Sequence, residues 1–267
     1  MMLHLQTVEP RKGLVWIRHG LKVFKRRPLA MTALYLVGVI VGLMLFSLPD
    51  ALAWLGLALA PLISLGFMLA THAVLQGQVP NASVYLAPFR LTKERRNAQL
   101  LLCLSYGLLL AGGLLLAHAV DGGAFEHLLA VYAKEPRDDQ AVFAAMSDPR
   151  LFWRSVIGVS TFALLSVPYW HAPALVHWAG QGVGQAMFSS TLAIWRNRWV
   201  FARFALVWLG LCLAVIVVLS IVGGLLGDGI AGMVALLAIA WLQIIFNASL
   251  YFSFVDCFMF SPEELKI

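Results

Sequence analysis

Six long apolar runs limit what this chain can fold into more than any other feature of its sequence. Each run is about as long as the ~20 helical residues that cross the hydrocarbon core of a bilayer. The runs are continuous and lack the alternation of membrane β-barrel strands. Hydrophobic residues fill 61% of the 267 positions and charged residues only 12%, about half the charged fraction of soluble domains. We therefore predict an all-α, polytopic membrane bundle with six transmembrane helices.

The predicted organisation has three parts. Residues 1–27 form a basic amphipathic helix at the membrane interface, 28–260 form the transmembrane domain, and 261–267 form a cytoplasmic tail. Within the domain, 121–151 is an outer segment in which helical spacing and Pro136 predict two short helices. The six predicted spans are 29–48, 52–75, 100–120, 152–176, 199–226 and 230–254.

The distribution of charge predicts how the bundle is inserted. Fifteen of the 19 Lys and Arg residues lie in the N-terminus, the 76–98 loop, the 177–203 loop and the C-terminus, together with five acidic residues. The other side holds four Lys or Arg residues and eight acidic ones. Because Lys and Arg in short loops favour the cytoplasmic side, we expect a multi-pass protein of the bacterial inner membrane with both termini cytoplasmic.

The N-terminal stretch combines an apolar face with cations. Leu14, Ile17, Leu21 and Phe24 share one face of a helical wheel. Cationic side chains beside that face predict contact with anionic lipid headgroups; they include Arg11, Lys12, Arg18 and Lys22. Nucleic-acid binding is the rival interpretation of a basic stretch. We expect no nucleic-acid partner because the charge runs directly into a predicted span.

A second amphipathic stretch follows the fourth predicted span. Pro168 and Pro173 interrupt that span, and a broken helix at membrane depth needs protein or water to pair its freed carbonyls. The break predicts either a functional cavity or a kink that improves packing. Large apolar residues then recur at helical spacing and form one stripe, which consists of Phe188, Leu192, Trp195 and Trp199. Trp195, Arg196 and Arg198 are predicted at headgroup depth.

Two histidines are the candidate cofactor ligands. His72 and His171 both lie near the predicted cytoplasmic ends of their spans, and facing histidines at matched depth can bind haem or a metal. The competing interpretation is that each imidazole is hydrogen-bonded to backbone or water. The cysteines lie far apart, with no CxxC pair. We favour the second interpretation and expect no cofactor and no metal site.

Four polar residues are predicted to stabilise the bundle. Gln243 and Asn247 share a face of the sixth span and are expected to hydrogen-bond to another span. Asp256 lies near the end of that span, where Arg203 at the start of the fifth could pair with it. An ionisable side chain inside a membrane is usually taken as a sign of a functional site. An ion pair that fixes helix packing is the interpretation we prefer here.

Motifs spread along the chain carry a resemblance to a known family. They are Pro10-Arg11-x-Gly13-x-x-Trp16-Ile17, Trp170-x-Ala172-Pro173-Ala174-Leu175, Trp195-Arg196-Asn197 and Tyr251-x-Ser253-x-x-Asp256-x-Phe258. With them the chain resembles an uncharacterised family of Gram-negative inner-membrane proteins. That group is akin to the membrane domain fused to some glycerophosphoryl diester phosphodiesterases. This chain has no phosphodiesterase domain, so the resemblance implies fold and location but no catalysis.

The function predicted from these features is non-enzymatic. The sequence has no HExxH, P-loop, dinucleotide-binding or Gly-x-Ser-x-Gly motif. We expect an accessory or scaffold subunit that binds membrane lipid or another integral membrane protein. The alternatives are a transporter or channel with its path near His171 and Pro173, and a haem- or metal-binding redox subunit. Gly38-x-x-x-Gly42 permits close helix contact, within one chain or in a homo-oligomer.

Overall fold

The computed structural model describes residues 4–47, 56–134 and 138–259, and it confirms the predicted all-α bundle. The helices are α1 (Lys12–Arg26), α2 (Pro28–Phe46), α3 (Ala60–Leu75), α4 (Lys93–Asp121), α5 (Ala124–Tyr132), α6 (Asp139–Met146), α7 (Pro149–Tyr169), α8 (Ala172–Ala179), α9 (Val183–Arg196), α10 (Arg198–Leu226) and α11 (Asp228–Cys257). A 3₁₀ helix, Ala82–Arg90, follows α3. Strands β1 (His4–Leu5) and β2 (Phe258–Met259) pair antiparallel near the two termini.

Six helical stretches in the described ranges are long and apolar enough to cross a membrane, as predicted. They are Pro28–Phe46, Gly56–Leu75, Lys93–Asp121, Pro149–Ala179, Arg198–Leu226 and Gly229–Cys257. The third begins at Lys93 rather than 100, because Lys, Glu and Arg are good helix formers and extend the helix beyond the apolar run. The predicted start of the second span at 52 and the predicted tail 261–267 lie outside the described residues.

The first helix packs on the bundle through a face that differs from the predicted one. Trp16, Ile17, Val23 and Phe24 are buried, whereas Leu14 and Leu21 are exposed. Helix α1 lies mainly against α11 and also contacts α10. Leu14 and Leu21, predicted with Ile17 and Phe24 to face the membrane, do not pack on the bundle, because glycines at 13 and 20 let the neighbouring side of α1 approach the bundle backbone closely.

The buried core lies towards one end of the spans. The buried residues of α10 are Val200, Phe201, Phe204 and Trp208, all in its first half. Those of α11 fall between Ile244 and Cys257. We call this the basic end, formed by α1, the 76–98 loop, α8, α9 and the strand pair. Elsewhere the spans present large exposed apolar side chains such as Leu108, Val159 and Leu236, which suits contact with hydrocarbon.

Helices α5 and α6 occupy the segment 121–151 at the opposite end. Asp138 caps α6 because its Oδ1 accepts hydrogen bonds from the backbone N–H groups of Gln140 and Ala141. Pro136, at which the sequence predicted a break, lies outside the described residues. The two short helices contact each other, and α5 also contacts α7.

Candidate functional site

The motifs that carry the family resemblance meet at the basic end. Trp16 Nε1 from the front motif donates a hydrogen bond to Asp256 Oδ2 in the last motif, at 2.7 Å. Trp170 Nε1 from the middle motif donates to Ser253 Oγ at 3.3 Å. The final turns of α11 are therefore the hub around which the other segments pack.

The break between α7 and α8 is paired by side chains from neighbouring helices. Ser190 Oγ on α9 accepts a hydrogen bond from the His171 backbone N–H at 3.1 Å and donates one to the Val167 carbonyl at 2.9 Å. Gln99 Nε2 on α4 donates to the Pro173 carbonyl at 2.8 Å. The two Ser190 bonds pair the N–H and the carbonyl that an unbroken helix would pair with each other. The arrangement favours the packing-kink interpretation of the two prolines.

Asn197 fastens the N-terminal strand to the bundle. Its Oδ1 accepts from the Val8 backbone N–H at 2.7 Å, and its Nδ2 donates to the Gln6 carbonyl at 3.0 Å. Beside it, Arg196 Nε donates to Thr7 Oγ1 at 3.1 Å. Arg196, predicted to contact lipid headgroups, therefore contacts the chain's own N-terminal segment. Asn197 is buried, so each of its bonds is sheltered from water.

Both candidate histidines are hydrogen-bonded to α11. His72 Nδ1 lies 2.9 Å from Tyr251 Oη, and its Nε2 lies 3.0 Å from Gln76 Nε2. His171 is fully buried, and its Nε2 lies 3.0 Å from Ser253 Oγ. Both imidazoles thus meet side chains, where backbone or water was expected, and the preference for hydrogen bonding over cofactor binding stays a prediction. Within the described ranges, no three His, Cys, Asp or Glu side chains are grouped to hold a metal.

Aromatic rings fill the space around the two histidines. Trp178 stacks on Phe254 with centroids 5.3 Å apart, and it also meets the rings of His72 and Tyr251. His171 meets Phe254 in turn. Aromatic pairs at such distances add specific geometry to their large buried areas. The basic end is consequently a rigid, ring-packed core.

The predicted partner of Asp256 was wrong. Its carboxylate accepts the Trp16 bond, and Lys12 Nζ lies 3.8 Å from the same Oδ2, whereas Arg203 is exposed. The docking of α1 on α11 places Trp16 and Lys12 beside the carboxylate. This docking could not be read from spacing along the chain.

The hydrogen bond expected from Asn247 to another span was also wrong. Asn247 Nδ2 donates to the backbone carbonyl of Gln243 in its own helix, at 2.9 Å. Side chains of this kind commonly bond to the carbonyl four residues earlier in a helix. The two positions do share a face, as the spacing predicted, but the bond stays within α11.

The predicted stripe of α9 is present and faces outwards. Phe188, Trp195 and Trp199 are 67%, 70% and 67% exposed, and Leu192 is also exposed. The Arg198 guanidinium lies 6.0 Å from the ring centroid of Trp195 and 5.7 Å from that of Trp199. Exposed tryptophan beside arginine is typical of a surface at the membrane boundary. We call these four positions the α9 stripe.

Charge on α1 is unbalanced within the helix itself. Arg11, Lys12, Arg18 and Lys22 are exposed, and α1 contains no acidic residue. The pKa of His19 is lowered by burial and by the nearby cation of Lys22, against an opposing effect of Asp256. The cations predicted for lipid contact are therefore available at the surface, while His19 is kept largely neutral.

A second polar cluster lies at the opposite end. Arg154 on α7 pairs with the buried carboxylate of Asp121, and its guanidinium lies 4.3 Å from the ring centroid of Phe125. Arg154 also lines an open apolar crevice of about 470 Å³. Sequence reasoning missed this pair, although a cation inside a predicted span was a signal that a partner had to exist.

Comparison with known proteins supports the membrane location. The chain is similar to a probable inner membrane protein of Burkholderia thailandensis, with 27% identity over 267 positions covering 94% of this chain and 91% of that protein. With the six apolar helices, this similarity supports a multi-pass inner-membrane location. No family model matches the chain, and no solved structure matches it. The expected kinship with phosphodiesterase-linked membrane domains stays a prediction.

The residues that sequence reasoning missed at the basic end are small or polar. Ser190, Gln99 and Asn197 each bind backbone groups of another segment. The two prolines of the fourth span were an available signal for Ser190 and Gln99, because broken helices need outside partners. Asn197 belongs to the Trp195-Arg196-Asn197 motif, but nothing in the sequence indicated that it would contact Val8.

Proposed function

We propose that the protein is a non-enzymatic accessory or scaffold subunit of the inner membrane, with membrane lipid or another membrane protein as its partner. The observation that carries this proposal is the α9 stripe. Phe188, Leu192 and Trp195 are exposed there on α9, whose opposite face is buried at three small residues, Ala186, Ser190 and Ala193, and Trp199 is exposed in the first turn of α10. Exposed apolar patches of this kind mark surfaces for membranes or other proteins.

The hydrogen bonds beneath the α9 stripe favour a fixed binding surface over a helix that moves during transport. Ser190 holds α9 to the broken span, and Asn197 at its end holds the N-terminal strand. Buried polar side chains whose hydrogen bonds are made hold their helices in a defined arrangement. A stripe on such a fixed helix offers a preorganised surface, which lowers the entropy lost on binding.

Site-specific photo-cross-linking tests the proposal. A photoreactive amino acid at Phe188 or Leu192 is expected to give one discrete adduct, with a single lipid class or with a stoichiometric protein. The same group at Val159 or Leu164, which are exposed on a spanning helix, should give only the mixed lipid adducts of a hydrocarbon-facing position. The double variant Trp195→Ser/Trp199→Ser should lose the adduct, and Phe152→Ser/Trp153→Ser at other exposed aromatic positions should keep it. Equal adducts from both sets of positions would contradict a dedicated surface.

A transporter or channel is the second candidate, and one observation favours it. Four buried polar atoms in the described structure lack a hydrogen-bond partner on or beside α8: Gln99 Oε1, His171 Nδ1, His177 Nδ1 and Gln181 Oε1. Such atoms are costly unless water or a ligand pairs them. Uptake of solute by proteoliposomes, reduced by Gln99→Leu, would replace the scaffold proposal with this one.

Orientation belongs to the same proposal. The basic end carries strands β1 and β2, and the excess of Lys and Arg there favours the cytoplasmic side of the membrane. The α9 stripe and the cations of α1 would then meet the inner leaflet, whose anionic lipids attract basic side chains.

A further inference from the structure

A small concave site opens at the basic end between α1, the last turn of α3, and α11. Its volume is about 220 Å³. The lining residues are His19, Lys22, Val23, Arg26, Leu75 and Phe252. We call it the α1 pocket. Phe252, which lies within the last motif, is part of the lining. The other motifs and the α9 stripe contribute no residue to it.

The pocket's polar residues come from one face of one helix. His19, Lys22 and Arg26 are spaced three and four residues apart on α1, so their side chains lie along the same side. Lys22 and Arg26 are like charges at a spacing that destabilises a helix by mutual repulsion. No acidic side chain lines the pocket. An anion placed between the two cations would remove this repulsion.

Asp256, the carboxylate that acts on His19, is already engaged with other residues. Asp256 raises the pKa of His19, but by less than burial and Lys22 each lower it. Its own oxygen accepts the hydrogen bond of Trp16 and faces Lys12. Lys22 and Arg26 therefore line the same pocket without an acidic side chain beside them. A bound anion would supply the compensating negative charge.

The floor of the pocket is apolar and lies at the start of the first span. Val23 is buried, and the His19 ring lies 5.0 Å from that of Phe252. Helix α2 begins at Pro28, directly after the basic run. Next to the pocket, Arg27 Nη2 donates to the Gly77 carbonyl at 3.4 Å, which ties the end of α1 to the loop after α3. Cations therefore stand at headgroup depth above an apolar base.

We propose that the α1 pocket binds a phosphate group of an anionic phospholipid, with Lys22 and Arg26 donating to the phosphate oxygens. The glycerol portion rests against Val23, Leu75 and Phe252, and the acyl chains stay in the bilayer. Arginine and lysine form charge-assisted hydrogen bonds with phosphate, and basic pockets between membrane helices bind anionic headgroups. This inference rests on the lipid-binding part of the proposed function. It assigns the lipid a binding site, the α1 pocket, and a negatively charged headgroup.

The chain offers a matched control at the same end of the bundle. Arg90 and Lys93 are exposed, carry the same total charge as Lys22 and Arg26, and do not line the pocket. Replacing either pair with Gln removes two positive charges from the basic end. Only the Lys22 and Arg26 pair removes donors that line the pocket.

Native mass spectrometry of the detergent-purified protein titrated with single lipids tests the proposal. Phosphatidylglycerol should bind with one site that phosphatidylcholine fills at least tenfold less well. Lys22→Gln/Arg26→Gln should weaken phosphatidylglycerol binding by about tenfold or more, as expected for lost hydrogen bonds to a charged group. Arg90→Gln/Lys93→Gln should change it by less than about threefold, as expected for exposed charges. The exchange Lys22→Arg/Arg26→Lys should keep it.

The contrary outcomes are distinct. Equal losses in both Gln pairs would show diffuse surface attraction and overturn the pocket. Saturable binding of inorganic phosphate that competes with the lipid would identify a soluble phosphate compound as the ligand and overturn the lipid assignment. Failure of the proposed function is read separately, because cross-links from Phe188 and Leu192 do not depend on Lys22 or Arg26. Loss of lipid binding with cross-links retained refutes the pocket alone.

Discussion

Single polar side chains join distant parts of this chain. Trp16 and Asp256 are 240 positions apart, and Val8 and Asn197 are 189 apart. In apolar surroundings a buried donor or acceptor left without a partner costs more than its hydrogen bond contributes. The joining residues therefore fix the relative positions of segments whose apolar packing alone would be less specific.

Asn197→Ala is expected to free the N-terminal strand. The variant leaves the Val8 N–H and the Gln6 carbonyl without their side-chain partner, which should lower the free energy of unfolding by about 1–3 kcal/mol. Hydrogen exchange at residues 4–8 should become faster, while exchange in α4 stays unchanged. Asn247→Ala is the control, because that amide bonds only within its own helix. Unchanged exchange at residues 4–8 would contradict the clamp.

Asp256 is expected to act through packing. Asp256→Asn keeps an acceptor for Trp16 and should lower stability only slightly, whereas Asp256→Leu removes that acceptor and should cost about 1–3 kcal/mol. Denaturant unfolding in detergent, followed by tryptophan fluorescence, measures both. The exposed Glu126 provides the control Glu126→Gln. A fully folded Asp256→Asn protein that had lost a transport signal would contradict the packing role.

At the scale of elements, α1 docks through backbone contact. A Cβ at Gly20 would lie 2.7 Å from the Ile245 carbonyl oxygen, and one at Gly13 would lie 2.8 Å from that of Val200. Backbone atoms cannot move aside as a flexible side chain can. The two glycines therefore determine which face of α1 meets the bundle.

Gly20→Val is expected to displace α1 from α11. Overpacking of this kind costs about 1–3 kcal/mol, and the distance between spin labels at Leu14 and Ile239 should lengthen and broaden. Gly112→Val is the matched control, since no other atom lies within reach of a Cβ there. If both variants kept the wild-type distance, the close contact of α1 and α11 would be refuted.

The docking of α1 is also expected to weaken at low pH. Because the pKa of His19 is lowered in the folded state, chiefly by burial and then by Lys22, the docked helix disfavours the proton. The contribution of neutral His19 is fully present above its ordinary pKa of about 6.5 and is lost as the pH falls through and below that value. Between pH 7.5 and 5.5, the Leu14–Ile239 distance should broaden in lipid-free detergent. His19→Gln should remove this dependence.

Local patterns were enough to predict the elements but not their contacts. The number of spans followed from run length, and the outward α9 stripe followed from helical spacing. The docked face of α1 did not follow, because Leu14 and Leu21 are as apolar as the residues that are buried. Hydropathy carries no information about close backbone approach, which depended on Gly13 and Gly20.

At the scale of the whole molecule, the contacts converge on one end. The four motifs, the broken fourth span and both strands all pack around the final turns of α11. The sequence contained each part of this site, including His171 and Asp256. It did not contain their pairing, because long-range contacts leave no periodic signal in a single chain. The predicted Asp256 and Arg203 pair failed for this reason.

The proposed lipid and partner binding requires the basic end to face the cytoplasm. In that orientation the inner leaflet would supply the anionic lipid for the α1 pocket and the surface for the α9 stripe. An inverted bundle would place both on the side with fewer Lys and Arg residues, against the usual charge bias.

Cysteine labelling of intact spheroplasts tests this orientation most directly. In a background with Cys103, Cys212 and Cys257 replaced by Ser, single substitutions Arg96→Cys, Arg198→Cys and Lys134→Cys are exposed to a membrane-impermeant maleimide. We predict that Lys134→Cys is labelled at once, and that the other two are labelled only after lysis. Labelling of Arg96→Cys or Arg198→Cys before lysis would contradict the account.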